Sequence, residues 1–236
     1  MNIISIIFNS IFYQPMLNFL VWIYILTNNF GVAVIILTLI VRLAINPLNA
    51  KALQSQKAMA EMQPKLKEIQ DRYKDDKEKQ AQALLELYRK EKFNPFSGML
   101  FLFIQIPIIY ALYFVFRSGI AIDGNMMYHF ISLPSQINPY FFGLDLSKPN
   151  IYLALLTAVA QYFQAKTAVP PSPKTGGKKD QMMEMSNMMM KQMTFFVPVI
   201  TFFVLFNLPA ALGLYWLVTT VFTIVQQYYI FKKKNI

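Results

Sequence analysis

The chain contains no cysteine and one histidine, His129. Disulfides, thiol nucleophiles, cysteine-based metal sites and lipid attachment through an N-terminal cysteine are therefore excluded. A solitary histidine in a loop gives neither a metal site nor a catalytic pair. No catalytic residue, metal or cofactor is expected, and the chain does not read as an enzyme. Charge is scarce as well: 14% of residues are Asp, Glu, Lys or Arg, where soluble domains carry about 25%. The first residues lack the basic n-region and A-x-A cleavage pattern of a signal peptide. They also lack the Arg-rich character of an organelle presequence.

What is present is apolar. Hydrophobic residues make up 56% of the 236, and they are gathered in long runs, the pattern of a polytopic membrane protein. The net charge of +10 would suit nucleic acid, but its placement argues otherwise. Of the 22 Lys and Arg, 11 lie in residues 51–92 and five in 166–191; three are Lys232, Lys233 and Lys234; the rest are Arg42, Arg117 and Lys148. This is the positive-inside asymmetry of a membrane protein, and no nucleic-acid recognition is expected.

A hydrocarbon core takes about 20 mainly apolar residues per helix. Five spans are read, at 30–49, 95–116, 150–167, 192–208 and 210–230. The connections 50–94 and 168–191, with Lys166 counted in the latter, and the tail 231–236 share one side with 19 basic residues, while 1–29, 117–149 and the turn at Leu208-Pro209 share the other with two. The N-terminus is therefore placed outside and the C-terminus in the cytoplasm. In residues 1–29, Asn2, Ser5, Asn9 and Tyr13 recur at helical spacing and Pro15 breaks the run. These residues read as interfacial amphipathic helices on the outer face, with a sixth span as the alternative. The expected fold is an all-α integral membrane bundle of five transmembrane helices, with a cytoplasmic antiparallel helical hairpin and an N-terminal interfacial helix.

The hairpin follows from residues 50–94. Met59, Met62, Leu66, Ile69 and Tyr73 form a 3-4-3-4 seam, the spacing of a coiled coil. Pro64 falls inside it and is expected to start or kink a helix. Asp75 with Glu78 three residues on resembles a capping box for a second helix, whose own stripe is Ala81, Leu84 and Tyr88. The hairpin is longer than a connector requires, which points to a docking or regulatory element. The second connection, 168–191, is Pro-, Gly- and Lys-rich at first and should be flexible. It then turns methionine-rich in "MMEMSNMMMKQM". Methionine suits adaptable binding surfaces; equally, these residues begin the fourth span.

No Asp or Glu falls within any span, and with Lys166 counted in the loop that follows, Arg42 is the one charge there. A charged residue at the centre of a spanning helix costs about 2.5–3.5 kcal/mol. With no intramembrane carboxylate, Arg42 must find hydroxyls, amides, carbonyls or water. Thr38 and Asn46 lie four residues either side of it on one helical face. The second span offers Gln105 and the third Gln161. The last offers Tyr215, Thr219, Thr223 and Gln226, a stripe at 4, 4 and 3 spacing. Single polar residues of this kind often serve only as interhelical hydrogen bonds, worth about 0.6 kcal/mol each. A charge with several such stripes is better explained by a water-filled cavity, its mouth on the cytoplasmic side because Arg42 lies near that end and can snorkel toward it.

The motifs "NNFGVAVIILTLIVRLAINPL", "MQPKLKEIQDRYKDDKEK", "LYRKEKFNPFSGMLFLFIQIPIIYALY", "MMKQMTFFVPVITFF" and "LPAALGLYWLVTTVFTIVQQ" resemble, in order and spacing, the YidC/Oxa1/Alb3 family of membrane protein insertases. The resemblance runs from about Gln14 to Gln227. It implies an arginine-bearing hydrophilic groove, open to the cytoplasm and to lipid and closed on the outer face. Arg42 matches the family arginine, Gln105 a groove-lining amide, and Thr38 and the Tyr215-Trp216 pair match positions that contact substrate. The partners it implies are nascent membrane proteins and the lipid bilayer, with the ribosome, the signal recognition particle system and the Sec translocon as further candidates. Of the family's bacterial, mitochondrial and thylakoid membranes, the missing presequence favours a bacterial inner (plasma) membrane. On this resemblance the chain is expected to go without the family's large periplasmic domain and lipoprotein signal. Its tail "FKKKNI" is shorter than the basic tails linked to ribosome binding. Two rival readings are a small-solute or anion transporter with Arg42 as ligand, and a membrane-anchored docking receptor in which the hairpin is the function. No internal repeat supports the first, and the second leaves Arg42 and the polar stripes unexplained.

Overall fold

The computed structural model describes residues 3–91, 93, 97–118, 126–132, 134, 136–168 and 194–232. The second connection beyond residue 168, with its methionines, and the tail beyond residue 232 lie outside them. In chain order the helices are α1 (Ile3–Phe8), a π-helical stretch (Asn9–Tyr13), α2 (Gln14–Thr27), α3 (Phe30–Ala44), α4 (Asn46–Arg72), α5 (Lys77–Lys90), α6 (Ser97–Ser118), α7 (Ile151–Ala168), α8 (Thr194–Leu205) and α9 (Ala210–Lys232). Two strands, β1 (Tyr140–Phe141) and β2 (Leu144–Asp145), pair antiparallel between α6 and α7.

Pro15 does not break the first run. Helix continues from Ile3 to Thr27, because the π-helical turn just before Pro15 shifts the bonding pattern, with the Gln14 N–H reaching back to the Asn9 carbonyl. Proline then sits in the first turn of α2, where its missing N–H leaves no helical bond unmade. Ser5–Thr27 is consequently long and apolar enough to cross a membrane. Ala210–Phe231 is a second such helix, and α3 with the start of α4 counts as a third if the bent pair is one span.

That bend corrects the first span, read as one helix over 30–49. The helix stops at Ala44 and turns by 67° into α4. Pro47 is the cause. Within a continuous helix it would clash with the Leu43 carbonyl and donate no bond. After the break it occupies the first turn of α4, where it is favoured.

Helices α4 and α5 pack against each other across the turn at residues 73–76, with details that differ from the expected hairpin. Helix α4 runs through Pro64 without interruption. The cap of α5 is Asp76 rather than Asp75: its side chain accepts from the Lys79 N–H at 3.0 Å, from an extended backbone. The residue at the Glu position of a capping box is Lys79, which pairs with Asp76 at 2.9 Å. Met62 and Leu66 are buried, while Ala81 is exposed and Leu84, Leu87 and Tyr88 face inward. Lys65 meets Glu91 at 2.6 Å across the two helices. At its root the hairpin touches α9, where the Lys57 ammonium donates to the Phe231 carbonyl at 3.1 Å.

Helices α3 and α9 both start at one end of the bundle and run side by side. The apolar core fills that end: Leu17, Leu20 and Val21 of α2, Ala33, Val34 and Leu37 of α3, Leu112, Val115 and Phe116 of α6, and Ala211 and Leu214 of α9. The loop between α6 and α7 seals it. Asn18, 1% exposed, donates to the Met126 carbonyl at 2.9 Å and accepts from the Tyr128 N–H at 2.7 Å. The Tyr24 hydroxyl accepts from the Asn138 N–H, and the Leu146 and Lys148 carbonyls accept the first N–H groups of α9, from Ala211 and Ala210. Orphan donors at a buried helix start are thus satisfied by the loop.

Candidate functional site

Past the apolar end, α3 and α9 change character together. Leu37 gives way to Thr38 and Arg42, and Tyr215 to Thr219, Thr223 and Gln226. Arg42 is buried, 3% exposed, and its Nε donates to the Thr219 hydroxyl at 3.2 Å. Its guanidinium also lies against the Tyr215 phenol. The Tyr215 oxygen in turn accepts from Gln105 Nε2 of α6 at 2.9 Å. Helix α9, with a hydroxyl and a phenol, and α6, with an amide bonded to that phenol, therefore gather around the arginine of α3.

One step farther along, Gln226 clasps the root of the hairpin. Its Nε2 donates to Asn46 Oδ1, and its Oε1 accepts from Asn49 Nδ2. Asn46 thus reaches the cluster from α4, beyond the bend, rather than from the helix that carries Arg42. Asn49, 4% exposed, was not singled out in the sequence. Its signal was its position three residues after Asn46, on the same face.

The remaining candidates are placed differently. Thr38, fully buried, donates to the Val34 carbonyl of its own helix at 2.6 Å, and Thr223 does likewise to Thr219 at 2.9 Å. Such back-bonding satisfies a hydroxyl without an external partner. Trp216 is half-buried at the edge of the core. Gln161 is half-buried on α7, and its Oε1 has no hydrogen-bond partner among the described residues. Among the described residues it is not joined to the arginine cluster. The α7–α9 seam has polar contacts of its own that the sequence reading missed: Thr157 on the Gly213 carbonyl at 3.2 Å and Thr167 on Gln227 at 3.0 Å. Both pairs are far apart in sequence, and no periodic signal marks them.

Fold and cluster together define a helical membrane protein that keeps a buried arginine among amides and hydroxyls beyond an apolar plug. Residues 22–235 match the family described as 60Kd inner membrane protein. The chain is 35% identical over 226 residues to a membrane protein insertase YidC of Syntrophobacter fumaroxidans, covering 92% of this chain and 37% of that protein. It is 34% identical over 208 residues to one of Prosthecochloris aestuarii, covering 87% and 33%. Among solved structures, it is similar to an active YidC insertase crystal structure with the first transmembrane domain resolved. The TM-score is 0.62 with 30% identity, over 94% of this chain and 46% of that one. The chain belongs to the YidC family of inner membrane proteins. It spans about a third of the length of the curated relatives it matches.

Proposed function

We propose that the chain is a membrane protein insertase, acting without nucleotide or redox chemistry. The observation that carries this reading is the burial of Arg42 beside Thr219, Tyr215 and Gln105, above an apolar core that closes the other end. The family relationship adds to it. With Ser5–Thr27 lying at the outer interface rather than crossing, five spans place the N-terminus outside, and the C-terminus, the hairpin and the mouth of a hydrophilic groove in the cytoplasm. A nascent membrane protein presents a hydrophobic segment with a short polar or acidic flank. The flank enters the groove, where Arg42 and the surrounding hydroxyls and amides replace the water it leaves. Thr38, Asn46, Gln161, Trp216, Thr223 and Gln226 line the path. The hydrophobic segment meets lipid and leaves sideways.

The driving force is apolar burial, at about 25 cal/mol per Å², over the roughly 20 residues of the segment. The groove lowers the cost of moving unpaired polar groups through hydrocarbon, about 2–7 kcal/mol for an uncompensated amide or hydroxyl. Acidic flanks gain further from the membrane potential, about 2.3 kcal/mol per charge per 100 mV. The hairpin serves recruitment, with the ribosome, the signal recognition particle system and the Sec translocon as candidate partners.

The test is reconstitution into liposomes with translation of a short membrane protein carrying an acidic flank. Protection of that flank from added protease, above the level in empty liposomes, supports an insertase. Protection no greater than in empty liposomes sinks the reading.

A further inference from the structure

The β-hairpin between α6 and α7 carries an exposed aromatic that nothing in the chain explains. Its turn residues, Phe142 and Gly143, both have positive φ, 47° and 80°, the geometry of a type I′ hairpin turn. Asn, Asp or Gly normally fills the first position. A bulky side chain there carries a left-handed backbone strain of about 1–2 kcal/mol. Phe142 is also 91% exposed; its edge-to-face contact with Phe141, ring centroids 4.5 Å apart, is worth about 0.5–1.5 kcal/mol and offsets that strain only in part.

The hairpin is held at a definite level. Phe141 turns inward onto Gly31, in the first turn of α3, where there is no room for a Cβ. Tyr140, on the other face of the strand, is 55% exposed. Next along the chain, Leu146 and Lys148 accept the first N–H groups of α9, and Asn150 accepts from the Leu153 N–H at the start of α7. The hairpin therefore lies in the plane where α3, α7 and α9 all begin. In a membrane protein that plane is the boundary between hydrocarbon and headgroups, where amphipathic aromatics concentrate. The apolar surface continues from it directly: Ile151 and Tyr152 open α7 at 48% and 76% exposed.

We propose that the hairpin tip is a lipid anchor, with Phe142 and Tyr140 seated in the interfacial layer of the leaflet on that side. The burial of Phe142 in this layer offsets the strain of its backbone. The anchor also fixes the depth of the loop that seals the apolar end, through Phe141 on Gly31.

The absence of cysteine allows labelling without background. Phe142→Cys and Lys148→Cys, each carrying a bimane fluorophore, are reconstituted into phosphatidylethanolamine–phosphatidylglycerol liposomes. At position 142, shallow spin-labelled lipid quenches several-fold more than at 148, and aqueous iodide quenches less. Equal iodide quenching at the two positions, with lipid quenching absent at 142, overturns the proposal and leaves the tip as a surface for a soluble or protein partner. Phe142→Trp keeps the aromatic and serves if the cysteine variant fails to incorporate. Its added emission is quenched by lipids brominated near the glycerol, whereas added emission that those lipids leave unchanged overturns the anchor.

Discussion

Replacing Arg42 by methionine separates an arginine kept for function from one kept for structure. Removing the charge from a spanning helix returns about 2.5–3.5 kcal/mol. The lost hydrogen bond to Thr219 is charge-assisted and worth about 1.5–3 kcal/mol. Thr219 need not be left unsatisfied, because its hydroxyl can turn back to a carbonyl four residues earlier, as Thr220 and Thr223 do. Methionine fills much of the arginine volume and is flexible enough to avoid a cavity. The net effect is between roughly −0.5 and +2 kcal/mol of added stability. Thermal unfolding in detergent, followed by tryptophan fluorescence, should therefore be unchanged or shifted upward. Insertion into liposomes should fall most for substrates with acidic flanks, and Arg42→Lys should retain much of it. The reasoning is refuted if Arg42→Met lowers stability by more than about 3 kcal/mol and all substrates fail alike. Arg42 would then be a structural keystone. Full insertion of every substrate by Arg42→Ala would refute electrostatic capture.

Other outcomes follow from particular contacts. Gly31→Ala drives a methyl into the Phe141 ring; overpacking of about 1–3 kcal/mol should lower the unfolding temperature and expose residues 136–148 to protease. Asn18→Ala leaves the Tyr128 N–H and Met126 carbonyl without their partner, at about 1–3 kcal/mol for each orphan, and should speed proteolysis of residues 126–131. Gln226→Leu frees Asn46 and Asn49 from α9; hydrogen exchange at the root of α4 should rise while α9 near Ala211 stays protected, and unchanged exchange at the root would refute the clasp. The Lys79 backbone N–H, and then its ammonium, hold the Asp76 carboxyl below the usual carboxylate range. Its contribution to the hairpin is therefore fully present above the ordinary Asp value and is lost as pH falls through the depressed one. Protection of the first turn of α5, corrected for intrinsic exchange rates, should decline only under strongly acidic conditions in the parent. In Asp76→Ala it should already be low at neutral pH.

Much of the cluster was legible because a polar residue in an apolar run has few places to go. Arg42, Gln105, Tyr215 and Thr219 stood out on that ground alone, and they meet. Thr38 and Thr223 stood out for the same reason, yet their hydroxyls close on their own helices. Sequence cannot distinguish the two fates, since a threonine can bond backward or across. Asn49 went unnoticed because it lies where hydropathy fades, and only Gln226, 177 positions away, gives it a role. Proline misled twice: the run through Pro15 stays helical because a π turn precedes it, and α4 passes through Pro64.

The sequence by itself determined the apolar runs, the asymmetry of basic charge, the seam of the hairpin and the presence of one uncancelled arginine. These are local or compositional properties, written in period and inventory. Tertiary structure alone decided the convergence of α6 and α9 on the Arg42 of α3, and the clasp between Gln226 and the hairpin root. It also set the apolar end sealed by the loop on Asn18 and Gly31. Each depends on which faces of distant helices meet, and helical period names the face of a helix without naming its neighbour.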